Sequence, residues 1–139
     1  MGKINVGRVI LGGLLAGLVI NIGETILNVV VAAKAMEEAL GARNLPAVGG
    51  SAIGGFIFFA FILGIATVGL YAAIRPRFGA GSGTAVIAGL FVWYFAYFDK
   101  TSAEVLMGFY PAKVAAIGAG WGLAEIVLAS IAGAWLYTE

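Results

Sequence analysis

The sequence contains no cysteine and no histidine. Disulfide frameworks, zinc sites, histidine-ligated haem, thiolate iron–sulfur centres and catalysis by a thiol or an imidazole are therefore excluded. The soft ligands that remain are Met1, Met36 and Met107, so electron transfer through a bound metal is disfavoured. No metal and no cofactor is expected; a pigment or lipid held by Glu, Asn or backbone would leave no mark in the sequence. Charge is equally scarce, at 11% of 139 residues, with eight basic and seven acidic side chains and a net charge of +1. With no basic run there is no footprint for nucleic acid. What fills the chain instead is 62% hydrophobic residues and 22 glycines, with a mean hydropathy of +1.04. So few ionisable groups cannot cover a globule in water, and the apolar runs are too long for a small core to bury. The composition defines an integral membrane protein, with the lipid bilayer as its first partner.

A hydrocarbon core about 30 Å thick needs about 20 helical residues. Four runs approach that length, at about residues 9–33, 52–74, 84–98 and 112–136. They predict an all-α fold, a four-helix antiparallel transmembrane bundle with short loops, forming a single domain over residues 1–139. Arg8 and Lys34 bound the first run, and Arg75, Pro76 and Arg77 break the second. The third is short and could start at Gly81. Residues 35–40 extend the first helix until Gly41 stops it, and Asn44, Leu45 and Pro46 turn the chain. Residues 78–83 form a flexible connector. Thr101, Ser102, Ala103 and Glu104 make a capping-box pattern, so residues 99–110 read either as a short interfacial helix or as an irregular loop. The first run is too long and too polar, with Asn21, Glu24 and Asn28, for a cleaved secretory signal. Lys3, Arg8, Arg75 and Arg77 fall on one side and Lys34, Arg43, Lys100 and Lys113 on the other. That count ties, and the amino terminus with the Arg75/Arg77 pair tips it toward cytoplasmic termini. Tyr71, Trp135 and Tyr137 fit one interfacial belt; Trp93, Tyr94, Tyr97, Phe98 and Tyr110 fit the other.

Helices associate in lipid through close backbone approach and polar contacts, so small and polar residues at helical spacing locate the seams. On the first helix Gly13, Gly17, Asn21, Glu24, Asn28 and Ala35 share one face. On the fourth, Ala115, Gly118, Gly122, Glu125, Ala129 and Ala132 do the same. The two helices are expected to press these faces together, with Gly13, Gly17, Gly118 and Gly122 as packing residues. Lesser seams run through Ala60, Gly64 and Thr67 and through Ala85, Gly89 and Ala96. Glu24 lies about 15 Å of helix from Lys34, and Glu125 about 18 Å from Lys113, which sets the two acids at similar depth. No Lys or Arg lies within the spans to neutralise them. Glu24, Glu125, Asn21, Asn28 and Thr25 therefore form the candidate intramembrane polar site. Three readings of it stay open. One carboxyl keeps a proton and serves as hydrogen-bonded glue, the pair exchanges a proton or cation, or a partner supplies a basic group. Trp121 and Phe56, Phe58, Phe59 and Phe61 read as packing or lipid contact.

The stretches 8–17, 69–79 and 118–125 resemble a family of small, functionally uncharacterised bacterial four-helix integral membrane proteins. That resemblance implies a fold and a bacterial inner-membrane location, and no activity. In having four short helices with one acid, Glu24, in the first, the chain also resembles the small multidrug resistance transporters, in which such a glutamate exchanges protons for cationic drugs within a dimer. Glu125 and the longer first loop depart from that pattern. The expected function is helix packing, as an accessory subunit of a larger membrane complex or with copies of itself. The alternative is a proton- or cation-coupled small-solute transporter using Glu24 and Glu125. An enzyme is not expected, because Ser51, Ser82, Ser102 and Ser130 stand beside no motif that would activate a nucleophile.

Overall fold

The computed structural model describes residues 3–138, and among them every regular element is helical. In chain order these are α1 (Val6–Ile26), α2 (Ala33–Gly41), α3 (Gly50–Phe78), α4 (Ser82–Trp93), α5 (Lys100–Leu106) and α6 (Ala112–Leu136). Widened π-helical turns at Leu27–Val31 and Tyr94–Asp99 join α1 toward α2 and α4 to α5. Three helical stretches are long and apolar enough to cross a membrane: Val6–Val31, Gly50–Phe78 and Ala112–Leu136. The protein is an integral membrane protein on that ground.

Several boundaries differ from expectation for identifiable reasons. Pro76 does not end the second span; α3 runs through it to Phe78. Proline removes only one backbone donor, and in a last turn the carbonyl so freed can be met from outside the helix. The stop comes instead at Gly79, whose φ of +87° is open to glycine and costly for other residues. Its N–H donates to the carbonyl of Arg75 at 2.9 Å. Gly81, at φ +125°, makes the second sharp step, and the Thr84 hydroxyl closes the turn by donating to Gly79 O at 2.7 Å. The 78–83 connector is thus a tight hydrogen-bonded turn. The capping box at Thr101 to Glu104 is not used, because Asp99 and Lys100 are already helical and α5 continues from the turn before it. Residues 99–110 therefore begin as helix and end in a turn at Gly108.

Packing is organised by the bare backbones of glycine. A methyl group at Gly64 would meet the backbone of Gly13 and Gly17, and one at Gly17 would lie 2.7 Å from the Phe61 Cα. Pairing runs from Val9 beside Gly69 to Asn21 beside Ile57, so α1 and α3 point in opposite directions. The expected match between the glycine faces of the first and fourth helices is thereby corrected. Gly13 and Gly17 lie against α3, and it is Gly12 and Gly133 that bring α1 and α6 together. Gly118 faces open space. The reason is angular: Gly12, Ala16 and Gly23 occupy a face next to the Gly13–Gly17 line, so α1 serves two neighbours with two adjacent small-residue rows. The Ala60, Gly64 and Thr67 seam, read as minor, is buried against α1. Ala85 and Gly89 of α4 pack on α6, where the buried Ser130 hydroxyl donates to Ala85 O at 2.7 Å.

Two polar clasps mark the ends of the molecule. At one, the Asn5 N–H donates to the Tyr137 hydroxyl at 3.3 Å and the Arg75 guanidinium lies 5.4 Å from the centre of the Tyr137 ring. At the other, Arg43 donates to the carbonyl of Gly108 and sits over the Phe109 and Tyr110 rings.

Candidate functional site

Glu24 stands on α1 just before the first widened turn, Glu125 at the middle of α6, and Tyr97 within the second widened turn. The Tyr97 hydroxyl oxygen lies 3.1 Å from Glu24 Oε1 and 3.0 Å from Glu125 Oε1. The two acids therefore share one phenol, and they lie at one level. Asn28, one turn after Glu24, donates from Nδ2 to Glu24 Oε2 at 3.1 Å and to the Glu24 carbonyl at 2.8 Å. Glu125 is 5% exposed, and its Oε2 is buried against Gly23 with no hydrogen-bond partner.

Local backbone chemistry explains how the group assembles. In the turn at Leu27–Val31 the Ala32 N–H reaches back five residues to Leu27 O at 2.7 Å. A widened turn of this kind disturbs the regular ladder, and such turns recur at functional sites. The Glu24 and Gly23 carbonyls, which both accept from the Leu27 N–H, take second donors: Asn28 Nδ2 on Glu24 O, and the Trp121 indole N–H of α6 on Gly23 O at 3.1 Å. Trp93 of α4 donates likewise to Ala119 O at 2.8 Å. Each such bond between helices is worth about 0.6 kcal/mol on average in a membrane. Their directions hold α6 in register with both neighbours. Gly23 and Gly122 leave the space: a methyl group at Gly23 would meet the Glu125 carboxyl, and one at Gly122 would meet the Tyr97 ring.

Of the residues expected in the polar site, Glu24, Glu125 and Asn28 come together. Asn21 and Thr25 do not join them. Asn21 turns its amide to Gly17 O at 2.9 Å and toward Ile57 O at 3.4 Å, on the α3 side. Thr25 is exposed, and its hydroxyl donates to Asn21 O at 2.7 Å. Tyr97 and Trp93, expected in an interfacial belt, and Trp121, expected in packing, each also bond across helices. Extending the Ala85–Gly89 row by fours through Trp93 to Tyr97 drifts about 120° on a regular helix, so spacing alone carried no signal for Tyr97, and the widened turn restores the phase. Tyr94, Phe95 and Phe98 lie off that row and are exposed.

Among the described residues no group of three or more acidic, His or Cys side chains gathers to hold a metal. One surface concavity is lined by Phe98, Thr101, Val105 and Ala115, another by Ala35, Glu38, Pro111 and Lys113, and neither includes Glu24, Tyr97 or Glu125. Comparison with models of protein families, with curated proteins and with solved structures finds no match to this chain.

Proposed function

We propose that the chain acts through helix packing, as an accessory subunit of a larger membrane complex or as a homo-oligomer. In this reading the helices form an antiparallel four-span bundle in a bacterial inner membrane, with both termini cytoplasmic. Support for the topology comes from the opposed directions of α1 and α3 and from the two clasps, which gather Asn5, Arg75 and Tyr137 at one end and Arg43 and Gly108 at the other. The observation that carries the function is the uncovered start of α3, up to its contact with Asn21 at Ile57. From Gly50 to Phe59 no side chain of α3 is buried, and the space beside Gly54 and Gly55 is open. Thr25 at the end of α1 and Asn28 in the widened turn are exposed, toward the end of the 26-residue apolar stretch Val6–Val31. Polar groups at hydrocarbon depth favour a protein neighbour over lipid.

A photoreactive residue placed at Ile53 tests this in the native membrane. Adducts to a second copy identify a homo-oligomer, adducts to another subunit identify an accessory role, and adducts to lipid alone reject the reading. Glu24→Gln and Glu125→Gln are expected to keep assembly, since an amide accepts hydrogen bonds as a carboxyl does.

The contact of Glu24 and Glu125 through Tyr97 favours a second reading, proton- or cation-coupled transport of a small solute. Purified protein in liposomes would then show pH-driven uptake that either glutamine variant abolishes; absence of uptake across a panel of cations counts against it.

A further inference from the structure

We propose that Glu125, Tyr97 and Glu24 bind one proton between them, held at rest on Glu125, and that Tyr97 relays it to Glu24. The inference is independent of whether the protein carries a solute. It rests on the number of hydrogens available. Tyr97 has one hydroxyl hydrogen and two carboxyl oxygens within 3.0 and 3.1 Å. With both acids ionised, one of those approaches would set lone pair against lone pair in apolar surroundings, at the full cost of an unmade bond. One added proton turns both approaches into hydrogen bonds.

The surroundings decide where that proton sits. Glu24 has a donor on each oxygen, Tyr97 on Oε1 and Asn28 on Oε2, as suits a carboxylate. Glu125 is buried, and its Oε2 makes no direct hydrogen bond, because the nearby Trp121 indole gives its N–H to Gly23 O. Negative charge is therefore better placed on Glu24, and the hydrogen on Glu125 Oε1, directed at the Tyr97 oxygen. In the relay the Glu125 O–H bond breaks as a new bond forms to Tyr97 Oη, and the phenolic hydrogen passes to Glu24 Oε1. Tyr97 ends unchanged, Glu125 ionised and Glu24 neutral. Glu24 is half-buried beside the exposed Asn28, so this end of the chain of bonds opens to the protein surface.

The titratable groups facing Glu125 are Glu24 from α1 and Tyr97 from the turn after α4. α3 contributes only Tyr71, Arg75 and Arg77, at the level of Tyr137 near the far end of α6. Lys100, beyond the turn, pairs with Glu104 at 4.0 Å. Among the described residues neither Glu24 nor Glu125 has an ion-pair partner.

Infrared spectroscopy of protein carrying carbon-13 glutamate, in phospholipid vesicles at neutral pH, reads the proton directly. The wild type is expected to show one protonated-carboxyl stretch. That band returns to its unlabelled frequency in Glu125→Asp, stays at the labelled frequency in Glu24→Asp, and is shifted toward a weaker hydrogen bond in Tyr97→Phe, with slower exchange into deuterated water. Absence of the band from the wild type overturns the proposal without recourse to any variant. A band that keeps its labelled frequency in Glu125→Asp and loses it in Glu24→Asp overturns the placement of the proton. A Tyr97→Phe variant with unchanged band and exchange overturns the relay. Solute uptake by liposomes is a separate measurement, so failure of transport and failure of the proton site are distinguishable.

Discussion

Gly23 and Gly122 are the positions where a single methyl group reaches the acid pair. At Gly122 the group would meet carbons of the Tyr97 ring, which must swing away and abandon one or both carboxyls. Overpacking of this kind costs about 1–3 kcal/mol. Gly122→Ala is expected to lower stability by that amount, read from unfolding in detergent. Gly118→Ala, one turn earlier on the same helix, faces open space and is expected to leave stability unchanged within about 0.5 kcal/mol. Equal effects at the two positions would mean that the glycine row of α6 packs along its whole length. Gly64→Ala is the sharpest case, because its neighbours are backbone atoms of Gly13 and Gly17 and cannot turn aside as a side chain can. Its loss of stability is expected to equal or exceed that of Gly122→Ala in the same experiment.

Elements end and bend here for reasons that a hydropathy trace does not contain. α3 passes through Pro76 and is stopped by the backbone of Gly79, at φ +87°. Gly79→Ala forces a side chain into a conformation that costs about 1–3 kcal/mol. It is expected to destabilise the protein, whereas Pro76→Ala restores one backbone donor and is expected to leave the end of α3 where it is. Amide exchange across residues 74–80 checks both; lengthening of the helix in Pro76→Ala would show that proline sets the boundary. The widened turns act at the same scale. One follows Glu24 and the other contains Tyr97, so the two departures from regular helix on α1 and after α4 converge on one site. Each shifts the phase of the residues beyond it, which is how Tyr97 reaches inward while Tyr94 and Phe98 stay exposed.

For the whole molecule, the absence of cysteine makes topology directly measurable, since any introduced thiol is the only one. Under the four-span reading, Lys3→Cys and Arg77→Cys react with an impermeant thiol reagent from one side of sealed vesicles. Lys34→Cys and Lys113→Cys react from the other. Labelling of Lys34→Cys and Arg77→Cys from the same side would mean that α3 does not cross, and would remove the bundle together with its proposed orientation. The uncovered start of α3 belongs to this scale too. Phe56, Phe58 and Phe59 are exposed there, as are Thr25 and Asn28 near the end of the first span. Lipid suits the phenylalanines, and a protein neighbour suits both groups.

The amino-acid sequence alone determined that this is a helical membrane protein with two misplaced acids. Length, hydropathy and the positions of charge are additive along a chain, and α6, observed at Ala112–Leu136, needed nothing else. The small-residue rows were legible as well, because helical spacing is fixed by backbone geometry. Which row meets which helix was not, since several rows of similar bareness compete and the choice depends on the packing of all the helices together. The same holds for the site. Spacing could set Glu24 and Glu125 at one depth, but a phenol from a third segment, aimed by a widened turn, depends on carbonyls and indoles brought near only by folding. Tertiary structure alone decided that the two carboxyls meet, and that Tyr97 is what lies between them.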